Sequence, residues 1–465
     1  MRRVTPLWTS AEIEAATGGK ASAAFDATGV TFDSREVGPG DLFVAMPGTA
    51  HDGHQFVASA FASGAAGALV AQPVDGPHVL VGDVAEALAA LAIAARQRMQ
   101  GMVLGVTGSV GKTSTKEALA AALERSRLGV VHKSVKSYNN HTGVPLSLAR
   151  MPRDAEYAVL EMGMNNPGEI AALTRLARPH VAIVTAIASA HIENLGSIEA
   201  IADAKGEIFS GLAPGGTAII PEDSRQRDRL VRAARGNAER VVTFGLSQDA
   251  DVTALHAVRA DDGGYLITAR LIDSELTYTL SQRGEHWVSN SLAVLAAVEA
   301  VGGDLAAAGL ALADMSGLKG RGERHRIRLD EGEALLIDES YNANPASMAA
   351  TLKSLGSETA SRRIAVLGPM RELGEHAEDL HAGLAEPVLA ARVDRLILIG
   401  DDMAPLDKAL GGQVDVDRVT SVDEATELLL SILRPGDAVL VKASNSVGLA
   451  KLVDRVAGEA ATCFT

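Results

Sequence analysis

The run Gly105-Val106-Thr107-Gly108-Ser109-Val110-Gly111-Lys112-Thr113-Ser114 constrains this chain more than any other segment. The apolar stretch Met102 to Leu104 leads into it, and helical spacing follows it through Glu124. A strand that ends in a glycine-rich loop and reopens as a helix aims backbone N–H groups and the helix N-terminus at one point, where a polyphosphate fits. Lys112 is then placed for the β and γ phosphates, and the Thr113 hydroxyl for Mg²⁺. Val106 stands where the general G-x-x-x-x-G-K-[ST] pattern has its first glycine, leaving the compact form T-G-x-x-G-K-T.

Such a loop belongs to a parallel α/β sheet, and the flanking periodicity agrees. Tyr157 to Glu161 and His180 to Ile187 read as further strands, with a helix at Pro167 to Leu176 between them. From Val252 to Leu280 the pattern changes to short alternating strands around Asp261-Asp262-Gly263-Gly264, a hairpin appendage. A helix from His286 to Val301 follows. Beyond the glycine-rich residues 317–322, apolar strands at Ala334 to Ile337, Arg363 to Leu367, Leu396 to Ile399 and Ala438 to Val441 alternate with helical segments, predicting a second doubly wound unit. Residues 26–83 read as a small α/β region, and the helix from Val84 to about Met99, free of Gly and Pro, carries the chain out of it.

The predicted fold class is therefore α/β in three domains. A small N-terminal α/β domain covers residues 1–100, a central P-loop parallel-sheet domain with a small antiparallel appendage covers 101–319, and a C-terminal Rossmann-like doubly wound domain covers 320–465. A length of 465 residues suits roughly three domains.

Composition removes several function classes. A net charge of −15 argues against nucleic acid as the main partner, because a polyanion needs a neutralising surface. One cysteine, Cys463, allows neither an intrachain disulfide framework nor a cysteine metal cluster, and fits a reducing cytoplasm. No signal peptide is read behind Arg2 and Arg3, since acidic residues arrive at Glu12 and Glu14 before any apolar core. The longest apolar stretch, Ala87 to Ala95, is about half of the roughly 20 residues needed to cross a bilayer, so no membrane insertion is expected.

Other residues carry chemistry by position. Glu161 ends a strand at the carboxyl rim, where ligands bind in open α/β sheets and where Mg²⁺ takes one or two carboxylate oxygens. His191 follows the next strand; Lys205 lies on an amphipathic segment and, taken alone, reads as a solvated helix residue. His286 and Asn290 share a helix face, suited to a base or ribose. His51 and His54 flank Asp52-Gly53 and read as polar loop residues rather than metal ligands. Arg324, Arg326 and Arg328, after Arg321, alternate with period two, so a strand would present them on one face.

Taken in order, Asp33-Ser34-Arg35, Pro39 to Ala45, T-G-x-x-G-K-T, Tyr138-Asn139-Asn140-His141-Thr142-Gly143, Glu161-Met162-Gly163, Ala190-His191-Ile192-Glu193, Ala204-Lys205-Gly206-Glu207-Ile208, Gly284-Glu285-His286 with Asn290, Gly320-Arg321, Asp338 to Pro345 and Met370 to Gly374 resemble the Mur ligases of peptidoglycan synthesis. The likeness runs over essentially the whole chain, and points to the branch that adds D-alanyl-D-alanine to a UDP-N-acetylmuramoyl-tripeptide. The resemblance implies an ATP- and Mg²⁺-dependent amide ligase working through an acyl phosphate, monomeric and cytoplasmic. Its first domain would hold the UDP-sugar, the second ATP, and the third the incoming dipeptide.

By the same resemblance Ser34 and Arg35 face the uridine nucleotide, and Asn139 and Asn140 face the muramoyl peptide. Tyr341, Asn342 and Asn344 belong to the substrate side. ATP falls to Thr107, Gly108, Ser109, Val110, Gly111, Lys112, Thr113 and Ser114, with Asn290, Arg321 and Asp338 on its adenosine side. Thr113, Glu161 and His191 would ligate Mg²⁺, joined by Lys205 once carbamylated; Lys112, Glu161, His191 and Lys205 form the catalytic set. The sequence departs from the family pattern at Thr185 to Ala188, at His141-Thr142, and at Ala443 and Asn445. Two other readings remain: a sister ligase adding the third residue, and a nucleotide-binding regulator without ligation.

Overall fold

The computed structural model describes residues 5–48, 51–189, 192–261 and 263–462. Residues 102–280 build one nine-stranded sheet. From edge to edge the strands run Val131–Lys133, Tyr157–Glu161, Met102–Thr107, Val181–Val184, Thr217–Pro221, Arg240–Gly245, Val252–Arg259, Tyr265–Arg270 and Glu275–Leu280. The first seven pair in parallel and the last two antiparallel. Parallel strands covered on both faces must be apolar throughout, as Val103, Leu104 and Val106 in one strand and the buried Val181–Val184 in its neighbour are. The antiparallel hairpin is not a separate appendage: Val252 and Thr253 pair with Phe244 and Gly245, extending the same sheet.

The P-loop helix Lys112–Ser126 and the helix Glu285–Ala300 share one apolar core on one face of the sheet, through Leu119, Leu123, Leu292 and Leu295. A second core runs from the central domain into the first: Leu88, Leu91 and Ala95 of the helix Val84–Arg98 belong to it with Val144, Leu148, Ile170 and Leu173. Polar contacts fasten the same junction. Trp8 Nε1 donates to Ala149 O at 2.8 Å, and the Arg98 guanidinium lies 4.1 Å over the Trp8 ring while donating to Leu7 O and Met151 O. The first domain's own sheet has five strands, Lys20–Ala21, His78–Leu80, Gly67–Val70, Asp41–Val44 and Gly29–Thr31, of which the first is antiparallel.

The third domain is a six-stranded sheet ordered Glu323–Leu329, Gly332–Glu339, Asp437–Lys442, Arg362–Leu367, Arg395–Ile399 and Asp415–Val419. Only the first pair is antiparallel, and separate apolar clusters cover the two faces, the doubly wound arrangement. Its contact with the central domain is polar. Arg283 and Arg324 both donate to Glu358 Oε2, at 2.7 and 2.6 Å; Lys353 Nζ donates to Glu285, and Arg259 to Ser357 O. Of the alternating arginines, Arg324 turns into this junction, while Arg326 and Arg328 are exposed. A charged seam of this kind suits domains that move relative to one another.

Candidate active site

At the carboxyl rim of the central sheet the phosphate loop adopts a conformation that only its glycines permit. Gly108 has φ +150°, and a Cβ there would stand 2.0 Å from Thr185 Oγ1. Gly111, at φ +84°, caps the helix that starts at Lys112. The loop is stitched to the segment after the neighbouring strand: Ser109 N donates to Ala186 O at 2.8 Å, Ser109 Oγ to Ala188 O at 2.9 Å, and Thr185 N to Thr107 O at 2.9 Å. Thr107 itself is wholly buried. The departure at Thr185 to Ala188 thus lies where the chain holds its phosphate loop, a role that spacing alone did not reveal.

Lys112 Nζ folds back to donate to Gly108 O at 2.7 Å. Burial lowers its proton affinity and nearby Arg321 adds to that, while Glu161 opposes both. Thr113 Oγ1 donates to Glu161 Oε2 at 2.9 Å, and Asn139 Nδ2 to Glu161 Oε1 at 2.8 Å. Glu161 is 1% exposed. Behind it the buried ammonium of Lys116 lies 3.8 Å from Oε2 and donates to Ser134 O and Lys136 O. Lys116 carried no sequence signal, because its place between helix and loop is a tertiary fact.

Lys205 corrects the reading of a solvated helix residue. It is fully buried near the end of the helix Ile198–Gly206, and its Nζ has no hydrogen-bond partner. Desolvation pushes its affinity for a proton well below normal, reinforced by Lys112 and opposed by Glu207. An amine so placed is shifted toward its neutral form, the form that can add CO₂. The hydroxyl of Thr113 beside the carboxylate of Glu161 offers oxygen donors of the kind Mg²⁺ takes, so the residues present fit that ion. His191 lies outside the described residues.

A cleft of about 470 Å³ joins this loop to the third domain. The P-loop residues Ser109 to Ser114 line it with Asn139, Asn140 and Glu161, and Asn290 and His286 enter from their shared helix. Across it stand Arg321, Glu339, Tyr341, Asn342, Asn344 and Lys442. Asn290 sits against Gly111, and desolvation between the cleft walls pushes the pKa of the His286 ring down to about 4, although the residue keeps an exposed face. The Arg321 guanidinium stacks 4.2 Å over the Tyr341 ring. Two asparagines also serve the backbone: Asn140 Oδ1 accepts from Gly143 N at 2.9 Å, and Asn344 caps the helix Pro345–Gly356 in a reciprocal pair with Ser347.

Asp338 does not face this cleft. It is fully buried, with Oδ2 accepting from Gly320 N at 2.8 Å and Oδ1 from Ser340 N at 3.0 Å. Neighbours on a strand point to opposite faces, so it is Glu339 that reaches the cleft, while Asp338 holds the segment carrying Arg321.

The turn with Ser34 and Arg35 lies away from the phosphate loop but is tied to the 136–140 segment that lines the cleft. Arg35 chelates Asp33 through Nε at 2.9 Å and Nη2 at 2.7 Å, holding that carboxyl at a pKa of about 2. Lys136 pairs with Glu36, and the Phe32 and Tyr138 rings meet at 5.3 Å, next to Asn139 and Asn140. The His54 ring is spent on Asp52 and on Ala71 N, a loop role rather than a metal one.

Three family models match the chain: the Mur ligase family catalytic domain over residues 26–97, the Mur ligase middle domain over 106–298, and the Mur ligase glutamate ligase domain over 320–445. A curated relative, UDP-N-acetylmuramoyl-tripeptide--D-alanyl-D-alanine ligase of Escherichia coli strain K12, is 36% identical over 439 residues, 93% of this chain and 94% of its own. The chain belongs to the Mur ligase family. This Mur ligase is also similar to the solved MurF of Acinetobacter baumannii, with a TM-score of 0.84, 29% identity, and coverage of 97% of this chain and 99% of the other. MurF of Thermotoga maritima in complex with ADP superposes with a TM-score of 0.77 at 27% identity, covering 93% of this chain and 98% of the other. The three-domain α/β architecture is that of the family, and the chain is an ATP-dependent ligase.

Proposed function

We propose that this Mur ligase joins D-alanyl-D-alanine to the terminal carboxylate of a UDP-N-acetylmuramoyl-tripeptide, with ATP as the energy source. The observation that carries the reading is the cleft itself. It sets a phosphate loop backed by a buried Thr113–Glu161 pair opposite a cationic and amide-rich rim from another domain. That is the geometry needed to phosphorylate a carboxylate and then admit a second substrate. Relatives at 35–36% identity over more than nine-tenths of this chain carry this activity in their names.

The tripeptide carboxylate attacks the γ phosphorus, and the bond to ADP breaks. Lys112 and the loop N–H groups meet the charge that develops on the phosphoryl oxygens. The dipeptide amine then displaces phosphate from the acyl carbon. Thr113, Glu161 and carbamylated Lys205 would hold Mg²⁺, which supplies positive charge to the transferring phosphoryl group. Arg321, buttressed by Tyr341 and by the Asp338 carboxylate beneath Gly320, brings a third-domain cation to the nucleotide. Asn139, held by Glu161, orients the muramoyl peptide, and the Ser34–Arg35 turn its uridine end. Closure of the third domain excludes water, which would hydrolyse an acyl phosphate. Residues 1–100, 101–319 and 320–465 correspond to the UDP-sugar, ATP and dipeptide domains.

Dependence on ATP and on a nucleotide-sugar substrate supports a cytoplasmic enzyme, and a monomeric state is carried over from the family resemblance. Among the described residues no helix is long and apolar enough to cross a membrane. The acyl-phosphate step is tested with tripeptide carrying heavy oxygen in its terminal carboxylate. Label should appear in the released phosphate; unlabelled phosphate at full turnover would reject the mechanism.

A further inference from the structure

Three carboxylates line the cleft among the described residues, and two are committed. Glu161 accepts from Thr113 and Asn139, and Glu169 from Asn165 N at 2.7 Å and Asn166 Nδ2 at 2.9 Å. The third, Glu339, ends its strand at the rim of the third-domain sheet, directly opposite Lys442 in the parallel register. Lys442 Nζ stands 3.5 Å from Glu339 Oε2 but spends a hydrogen bond on Asn342 O at 2.9 Å. Lys442 is almost fully buried, whereas the Glu339 side chain keeps 18% of its surface open. An acid with an open face, backed by a buried ammonium, can receive a second cation.

We propose that Glu339 is the catalytic base of the second half-reaction, taking a proton from the incoming ammonium so that the nitrogen can attack. The proposal rests on the amide-ligase reading above. At neutral pH an α-amine is largely protonated and has no lone pair to offer. Glu339 accepts one proton, and the lone pair released forms the bond to the acyl carbon. The carbon–oxygen bond to phosphate breaks with its electron pair going to phosphate, which carries off the second nitrogen-bound proton. Glu339 returns its proton to water.

The surroundings suit this task. Burial raises the affinity of Glu339 for a proton, helped by Asp338 on its own strand, while Lys442 from the adjacent strand and Arg321 from the linker oppose. His286, on the facing helix, is held neutral with a pKa of about 4 and is a weak competitor; Arg324, which lines the same space, is engaged by Glu358. Glu169, by contrast, is shifted downward by Asn166 and the nearby amides against its burial.

Hydroxylamine separates this role from a structural one, because it is uncharged at neutral pH and attacks acyl phosphates without needing a base. In Glu339→Gln, ligation of D-alanyl-D-alanine should fall by about a hundredfold, within the usual range for general-base catalysis, and the ratio of hydroxamate to ligated product should rise by about thirtyfold or more. Residual ligation should climb about tenfold per pH unit as neutral amine accumulates, and Glu339→Asp should recover the wild-type pH profile. Loss of both products in parallel, or unchanged ligation, would overturn the proposal. Wild-type enzyme that yields neither product would instead overturn the ligase reading.

Discussion

The hydroxyl of Thr113, the residue after the phosphate-loop lysine, donates to Glu161 Oε2 at 2.9 Å, linking the first turn of a helix to the end of a neighbouring strand. Glu161→Gln keeps the shape and the bond to Asn139 but removes the charge. We predict a loss of at least about a hundredfold in kcat/KM, the scale of one preorganised electrostatic contact. Titration with Mg²⁺ at fixed ATP should show a raised metal requirement; an unchanged requirement would place the ion elsewhere.

Lys205 has a buried amine with no partner and a depressed proton affinity. We expect activity to fall when dissolved CO₂ is stripped and to return with bicarbonate. Intact-mass measurement under non-acidic conditions should find one CO₂ added, and Lys205→Ala should abolish both effects.

Glu358 receives Arg283 from the central domain and Arg324 from its own, and is only 5% exposed. Glu358→Ala leaves two guanidinium groups facing each other without a counter-charge. Both arginines retain about a quarter of their exposure, so solvent should hold the cost to about 1–2 kcal/mol. Small-angle scattering should show a more open average shape, and the KM for ATP should rise severalfold.

His132 lies in the edge strand Val131–Lys133, away from the cleft, with its Nε2 at 2.6 Å from Ser147 O. Burial depresses its pKa from 6.5 to about 4. The folded state therefore binds fewer protons than the unfolded chain between these values, and stability is present above pH 6.5 and lost as pH falls toward 4. The full loss from this one group is about 3 kcal/mol. Denaturant unfolding at pH 7 and pH 4.5 should show a smaller drop for His132→Gln than for the wild type.

Local chemistry explains what could be read before the structure. The phosphate loop announces itself through special glycines, and the apolar strands Tyr157–Glu161 and Arg395–Ile399 fall within a residue of their periodicity. The remainder depends on which face meets which. Whether Asp338 or Glu339 enters the cleft turns on strand register, since the two acids are indistinguishable in a string of letters. Lys205 sits on a segment whose pattern suits solvent, and only the packing around it shows the burial. The hairpin at Val252–Arg270 reads as an appendage because its alternation resembles an exposed pair, and the short parallel pairing of Val252 and Thr253 with Phe244 and Gly245 leaves no mark in that alternation.

The central claim is that one cleft couples ATP cleavage to amide formation between two substrates. Phosphate release and peptide product should be followed together with ATP and UDP-N-acetylmuramoyl-tripeptide, in the presence and absence of D-alanyl-D-alanine. The account predicts phosphate and ligated product in equal amounts, both dependent on the dipeptide and both lost in Lys112→Ala. Equal phosphate release with and without dipeptide, and no ligated product, would contradict it.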